Sequence, residues 1–214
     1  MPLNYNDKLL KTALILSFIT IGYNFIEGGV SIFFGLTDNT LALLGFGIDS
    51  FVEVVSGLGI AHMVLRMKYS SVESRDEFEK FALKITGICF YILTFGLVTG
   101  SILNLIQNVK PDTTFPGFVI AIISISSMYI LMKYKLRVGK ALNSDAIIAD
   151  ANCTRTCFNL SIILLASSLI YMFAKIVYID LIGSLGIAFL SFREGQEAFE
   201  KAKNESVSCG CEHD

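Results

Sequence analysis

The sequence predicts an all-α membrane protein of six transmembrane helices with both termini in the cytoplasm. Three observations carry that expectation. The 214 residues are 53% hydrophobic and 17% charged, with a mean hydropathy of +0.63. That is more apolar surface than a soluble domain of this size can cover. The apolar residues gather into six stretches separated by short polar breaks. The basic residues are segregated, fourteen of the 17 lying at the termini and in alternate breaks.

The first stretch, Thr12 to Leu36, is too long for the apolar region of a secretory signal. No small-residue cleavage site follows it, so it is expected to stay in the mature chain. The second runs from Thr40 to Leu65 and the third from Ile85 to Ile106. The charged, helix-permissive segment Ser70 to Lys84 between them reads as a cytoplasmic extension of helix 3. The fourth, Phe115 to Met132, and the sixth, Val177 to Phe192, are short for a bilayer that needs about 20 residues. Their ends are expected to extend, or the helices to pack inside the bundle. The fifth spans Ala146 to Phe173.

Orientation follows from the cations. Lys8, Lys11, Arg66, Lys68, Arg75, Lys80, Lys84, Lys133, Lys135, Arg137, Lys140, Arg193, Lys201 and Lys203 fall on one side, and only Lys110 and Lys175 on the other. Arg155 lies within helix 5. Positively charged loops stay in the cytoplasm, which places both termini there. The outer breaks leave no room for an extracellular domain, and no internal repeat is visible. The expected organisation is one membrane domain, residues 1–200, followed by a cytoplasmic tail, 201–214, that carries Cys209, Cys211 and His213.

Several function classes are excluded on composition. The net charge is −2 and the cations form no single patch, so no nucleic-acid partner is expected. Five cysteines suit reduced thiols better than a disulfide framework. Only two histidines are present, with no HExxH motif and no nucleophile–base pair, so the chain is not read as an enzyme.

The chemistry concentrates in helix 2. Asp49 and Glu53 are four residues apart, one turn on one helical face, in the middle of an apolar stretch. A carboxylate at mid-bilayer costs about 2.5–3.5 kcal/mol on insertion scales. Two on one face call for a partner, and a divalent cation or protons would serve. The other reading is a buried hydrogen-bonded pair, or a counter-ion for Arg155. In helix 5, Asp150, Cys153 and Cys157 stand at i, i+3 and i+7 on one face, with Thr154 alongside. In helix 1, Glu27 reads as the partner of Arg155 or as a proton relay. Glycines at positions 22, 28, 29, 35, 45, 47, 57 and 59 predict a close approach of helices 1 and 2.

The run Thr40-Leu-Ala-Leu-Leu-Gly-Phe-Gly-Ile-Asp49-Ser-Phe-Val-Glu53 resembles helix 2 of the cation diffusion facilitator (cation efflux) family. Asp180-Leu-Ile-Gly resembles the segment at the head of that family's helix 6. The likeness extends over about residues 12–200, and is to the short form without a cytoplasmic C-terminal domain. It implies a homodimeric exporter of zinc, manganese, iron(II), cobalt or cadmium, exchanged for protons across the cell membrane, with no cofactor besides the transported ion. It also implies metal ligation by Asp49 and Glu53. Aligning Asp150 with the final acid of helix 5 puts Ala146 where the family has a histidine. The expected ligand set is therefore Asp49, Glu53 and Asp150, with Cys153 as a fourth ligand or as a small packing residue. A different class stays open at this point, a membrane metal-binding partner or sensor that does not transport.

Overall fold

The computed structural model describes residues 5–69, 77–142, 145–176 and 178–203. They form six helices: α1 (Tyr5–Thr37), α2 (Leu41–Tyr69), α3 (Glu77–Gln107), α4 (Phe115–Leu142), α5 (Asp145–Ala174) and α6 (Tyr178–Lys203). Every apolar stretch becomes a helix. The two short ones lengthen as expected, to 28 residues in α4 and 26 in α6. The charged segment before the third stretch is helical from Glu77 onward. The tail cysteines and His213 lie outside the described residues.

Five helices are long and apolar enough to cross a bilayer. The sixth differs because its apolar run stops at Phe192 and gives way to Arg193 and Glu194. Large apolar side chains such as Phe25, Ile26, Phe33, Phe95 and Phe189 point outward from the bundle, as a lipid-facing surface requires.

The bundle assembles from three close pairs, α1 with α2, α3 with α6 and α4 with α5, while α2 also touches α3, α5 and α6. Small residues set the first pair. A Cβ at Gly35 would lie 2.6 Å from the backbone nitrogen of Leu44, and one at Gly47 2.8 Å from that of Ile32. Only glycine lets the backbones come that near. One core cluster joins α2 to α3, α4, α5 and α6 through Leu43, Phe46, Leu97, Ala121, Leu164 and Ile187. A second joins the start of α1 to the ends of α2 and α4 through Ala13, Val64 and Val138.

The helices turn at one end of the bundle after α1, α3 and α5. Each turn uses a residue in the left-handed region, Asn39 (φ 56°), Asn108 (φ 52°) and Lys175 (φ 52°). Asparagine tolerates this conformation, and it lets following amides reach back to the last carbonyls. Thr40 N donates to Gly35 O at 3.0 Å and Val109 N to Asn104 O at 3.0 Å. This turn end is tied across helices. Asp180 Oδ2 and Oδ1 accept from Leu41 N (2.9 Å) and Ala42 N (3.3 Å), capping α2 from α6. Tyr171 O–H donates to Pro111 O at 2.5 Å. The opposite, terminal end carries the start of α1 and the end of α6.

Candidate metal centre

Asp49 and Glu53 follow one another on the face of α2 that turns into the bundle. Asp49 is 1% exposed and Glu53 half-buried. Helix α5 meets them with Cys157, whose thiol donates to Asp49 Oδ2 at 3.6 Å and also contacts Glu53 Oε1. Glu53 Oε2 accepts from Asn24 Nδ2 of α1 at 2.7 Å. The remaining oxygen of Asp49, Oδ1, is buried and accepts no hydrogen bond. A buried carboxylate oxygen without a donor is costly, and it marks the place where a cation or proton gains most.

These groups line a cavity of about 40 Å³ between α2, α3, α5 and α6. Its wall includes Asp49, Glu53, Cys153, Cys157, Thr156 and Glu194. That volume exceeds the roughly 10–15 Å³ that a single water needs. Thr156 Oγ1 donates to Glu194 Oε1 at 2.7 Å. Among the described residues no three acidic, thiol or imidazole groups are yet disposed around one point as a metal shell. The thiol's hydrogen bonds draw the group together instead.

The expected site residues thus take different places. Asp49, Glu53 and Cys153 share the cavity. Asp150, 8% exposed, faces α4 and pairs with Lys135 Nζ at 2.9 Å. Lys135 is 2% exposed and also donates to Thr154 Oγ1 at 3.0 Å. It reads in the sequence as part of a cytoplasmic connection. In the fold α4 continues to Leu142, and Asp150 gives the ammonium a buried partner. The pairing of Glu27 with Arg155 is corrected. Glu27 accepts from Tyr23 O–H (2.7 Å) and Ser50 Oγ (3.3 Å), while Arg155 is exposed. Neutral hydroxyl donors satisfy Glu27 where a cation seemed necessary.

Sequence reasoning missed the contact of Cys157 with the carboxylates, the Asn24 bond, and Glu194. One signal could have found the first. Cys153 and Cys157 are four apart, the same single-turn spacing as Asp49 and Glu53, so two i, i+4 pairs face each other across α2 and α5.

A multi-pass bundle with acids and thiols enclosed at its centre defines a membrane protein of the cell membrane built around a polar site. Residues 15–203 match the cation efflux transmembrane domain, and the chain belongs to the cation efflux family. It is also similar to an uncharacterized transporter of Methanocaldococcus jannaschii, 26% identical over 185 residues that make up 85% of this chain and 64% of the relative. The chain therefore spans somewhat under two thirds of that relative's length.

Proposed function

We propose that this chain exports a divalent metal ion from the cytoplasm in exchange for protons, and that Asp49, Glu53, Cys153 and Cys157 hold the ion in transit. One observation carries the reading. Asp49 Oδ1 is buried without a donor, on the wall of a cavity that also holds a second carboxylate and two thiols. Two carboxylates and two sulfurs, deprotonated on binding, make a four-ligand set. Asp150 supports the site from outside, its charge held by Lys135. Sulfur ligands favour zinc, cadmium or cobalt over manganese.

The ligands bind metal only when deprotonated, so loading releases protons and acidification releases metal. With the termini cytoplasmic, a near-neutral cytoplasm loads the ion. Protons arriving from outside discharge it when the bundle rocks to face outward. The working unit in this reading is a homodimer, as the family resemblance implies. Uptake of zinc into inverted vesicles tests it: wild type accumulates the ion under a proton gradient and Asp49→Ala does not. Equal uptake by the two rejects the site. Tight binding with no uptake points instead to a non-transporting metal-binding partner.

A further inference from the structure

We propose that Asn24 of α1 sets which ions the site accepts, by holding Glu53 so that it binds through one oxygen; this rests on the four-ligand reading given above. The first support is how the Glu53 carboxylate is divided. Asn24 Nδ2 donates to Oε2 at 2.7 Å, while Oε1 faces the Cys157 thiol of α5. When that thiol loses its proton to water as an ion binds, Oε1 is the oxygen set free on the α5 side. Oε2 stays with the amide. Asp49 differs, because its Oδ1 accepts nothing and only Oδ2 meets the thiol. A tetrahedral shell of four residues takes one atom from each, and Asn24 enforces that on Glu53.

The second support is what Asn24 costs the fold. It is 0% exposed, and its own carbonyl oxygen is buried without a donor. A proton can relieve a carboxylate in that position but not an amide. Leucine, of similar size and shape, would spare the bundle that oxygen. The half of the side chain in use is the N–H side, and Glu53 is what it bonds. Asparagine also supplies that donor without adding charge beside two carboxylates.

The third support is the seat of the bond. A Cβ at Gly28 would fall 2.8 Å from the ring of Phe51, and one at Gly57 2.9 Å from the side chain of Ile21. Gly28 is one turn beyond Asn24 on α1, and Gly57 one turn beyond Glu53 on α2. The helices are antiparallel, so the two contacts bracket the bond, Gly28 on the turn side and Gly57 on the terminal side. The separation of α1 and α2 is thus fixed on both sides of it. An ion that prefers six oxygens, such as manganese, gains from a carboxylate that turns both atoms toward it. A tetrahedral ion such as zinc does not.

The test uses the full chain, purified, with zinc and manganese as the ions compared and cobalt(II) as a spectroscopic probe. Asn24→Leu removes the bond and keeps the volume. It should weaken zinc binding about tenfold or more while manganese holds within about twofold, so the ratio of the two affinities falls. The cobalt–thiolate band should persist, because both sulfurs remain. The visible cobalt bands should lose intensity as Glu53 adds its second oxygen and the shell ceases to be tetrahedral. Tyr23→Phe removes the neighbouring bond to Glu27 from the same helix, and should leave the ratio within about twofold of wild type. Should Asn24→Leu not fold, Asn24→Ser, whose hydroxyl is too short to reach Glu53, carries the same prediction. An unchanged ratio overturns the inference, whether both affinities hold or both fall together. So does an equal change in Tyr23→Phe, since the effect would then belong to the packing of α1. A wild-type chain that binds neither cobalt nor zinc, or an Asp49→Asn variant that binds both normally, rejects the underlying site instead and the role of Asn24 with it.

Discussion

Replacing Cys157 by serine separates what the residue does for the fold from what it does for a bound ion. Cys157 is 4% exposed and packs with Met128 and Leu131. Its thiol donates toward both Asp49 and Glu53. Serine is smaller by little and its hydroxyl can donate to the same carboxylates, so the bundle should lose no more than about 1 kcal/mol. The ion loses a thiolate. Even outer partners of metal sites contribute about 10–100-fold in affinity, so a direct sulfur ligand should be worth at least about 100-fold, or roughly 2.8 kcal/mol. The loss should be greater for cadmium than for manganese, since only the former favours sulfur. Titration of purified Cys157→Ser with cobalt(II), followed by the thiolate charge-transfer band, reads both quantities. The band should weaken and the affinity fall while the thermal midpoint barely moves. An undiminished band with wild-type affinity would refute the placement of Cys157 in the site.

Two further outcomes concern the scaffold. Gly35→Ala drives a Cβ to 2.6 Å from the Leu44 backbone, so α1 and α2 must separate; a loss of about 1–3 kcal/mol is expected in denaturant unfolding, with Gly29→Ala, where a Cβ meets nothing within 4 Å, as the silent control. Lys135→Met strands the Asp150 carboxylate and should cost about 3–5 kcal/mol, most of it recovered in the double variant with Asp150→Leu; if the double variant is as unstable as the single, the pair does not act as a unit.

Helix positions were legible because bilayer thickness dictates apolar run length, and each run is bounded by charge or by a turn residue such as Asn39 or Asn108. The α2 half of the site was legible for the converse reason, that two acids one turn apart stand out against leucine and glycine. The α5 half was hidden. Cysteine counts as apolar in any hydropathy reading, so the Cys153–Cys157 pair merges into its helix, and Asp150 draws attention as the only acid in that stretch after Asp145. Lys135 looks interfacial because it sits among Lys133, Arg137 and Lys140; its partner Asp150, fifteen residues on and in the next helix, appears only when α4 and α5 pack. Glu194 lies where an apolar run ends, and such residues usually face water. Helices α3 and α6 approach closely where a Cβ at Gly87 would meet the Phe199 ring and one at Gly195 the Tyr91 ring, and that approach is a property of two helices together.

The central claim, that one buried group of acids and thiols is shared between a metal ion and protons, is tested most directly by counting protons released per zinc bound. Purified wild type and Asp49→Asn are titrated with zinc in weakly buffered solution at several pH values. The account predicts that wild type releases protons on binding, that the number changes with pH as the ligands titrate, and that Asp49→Asn binds more weakly and releases fewer. Zinc binding with no proton release, or identical release by Asp49→Asn, would contradict it.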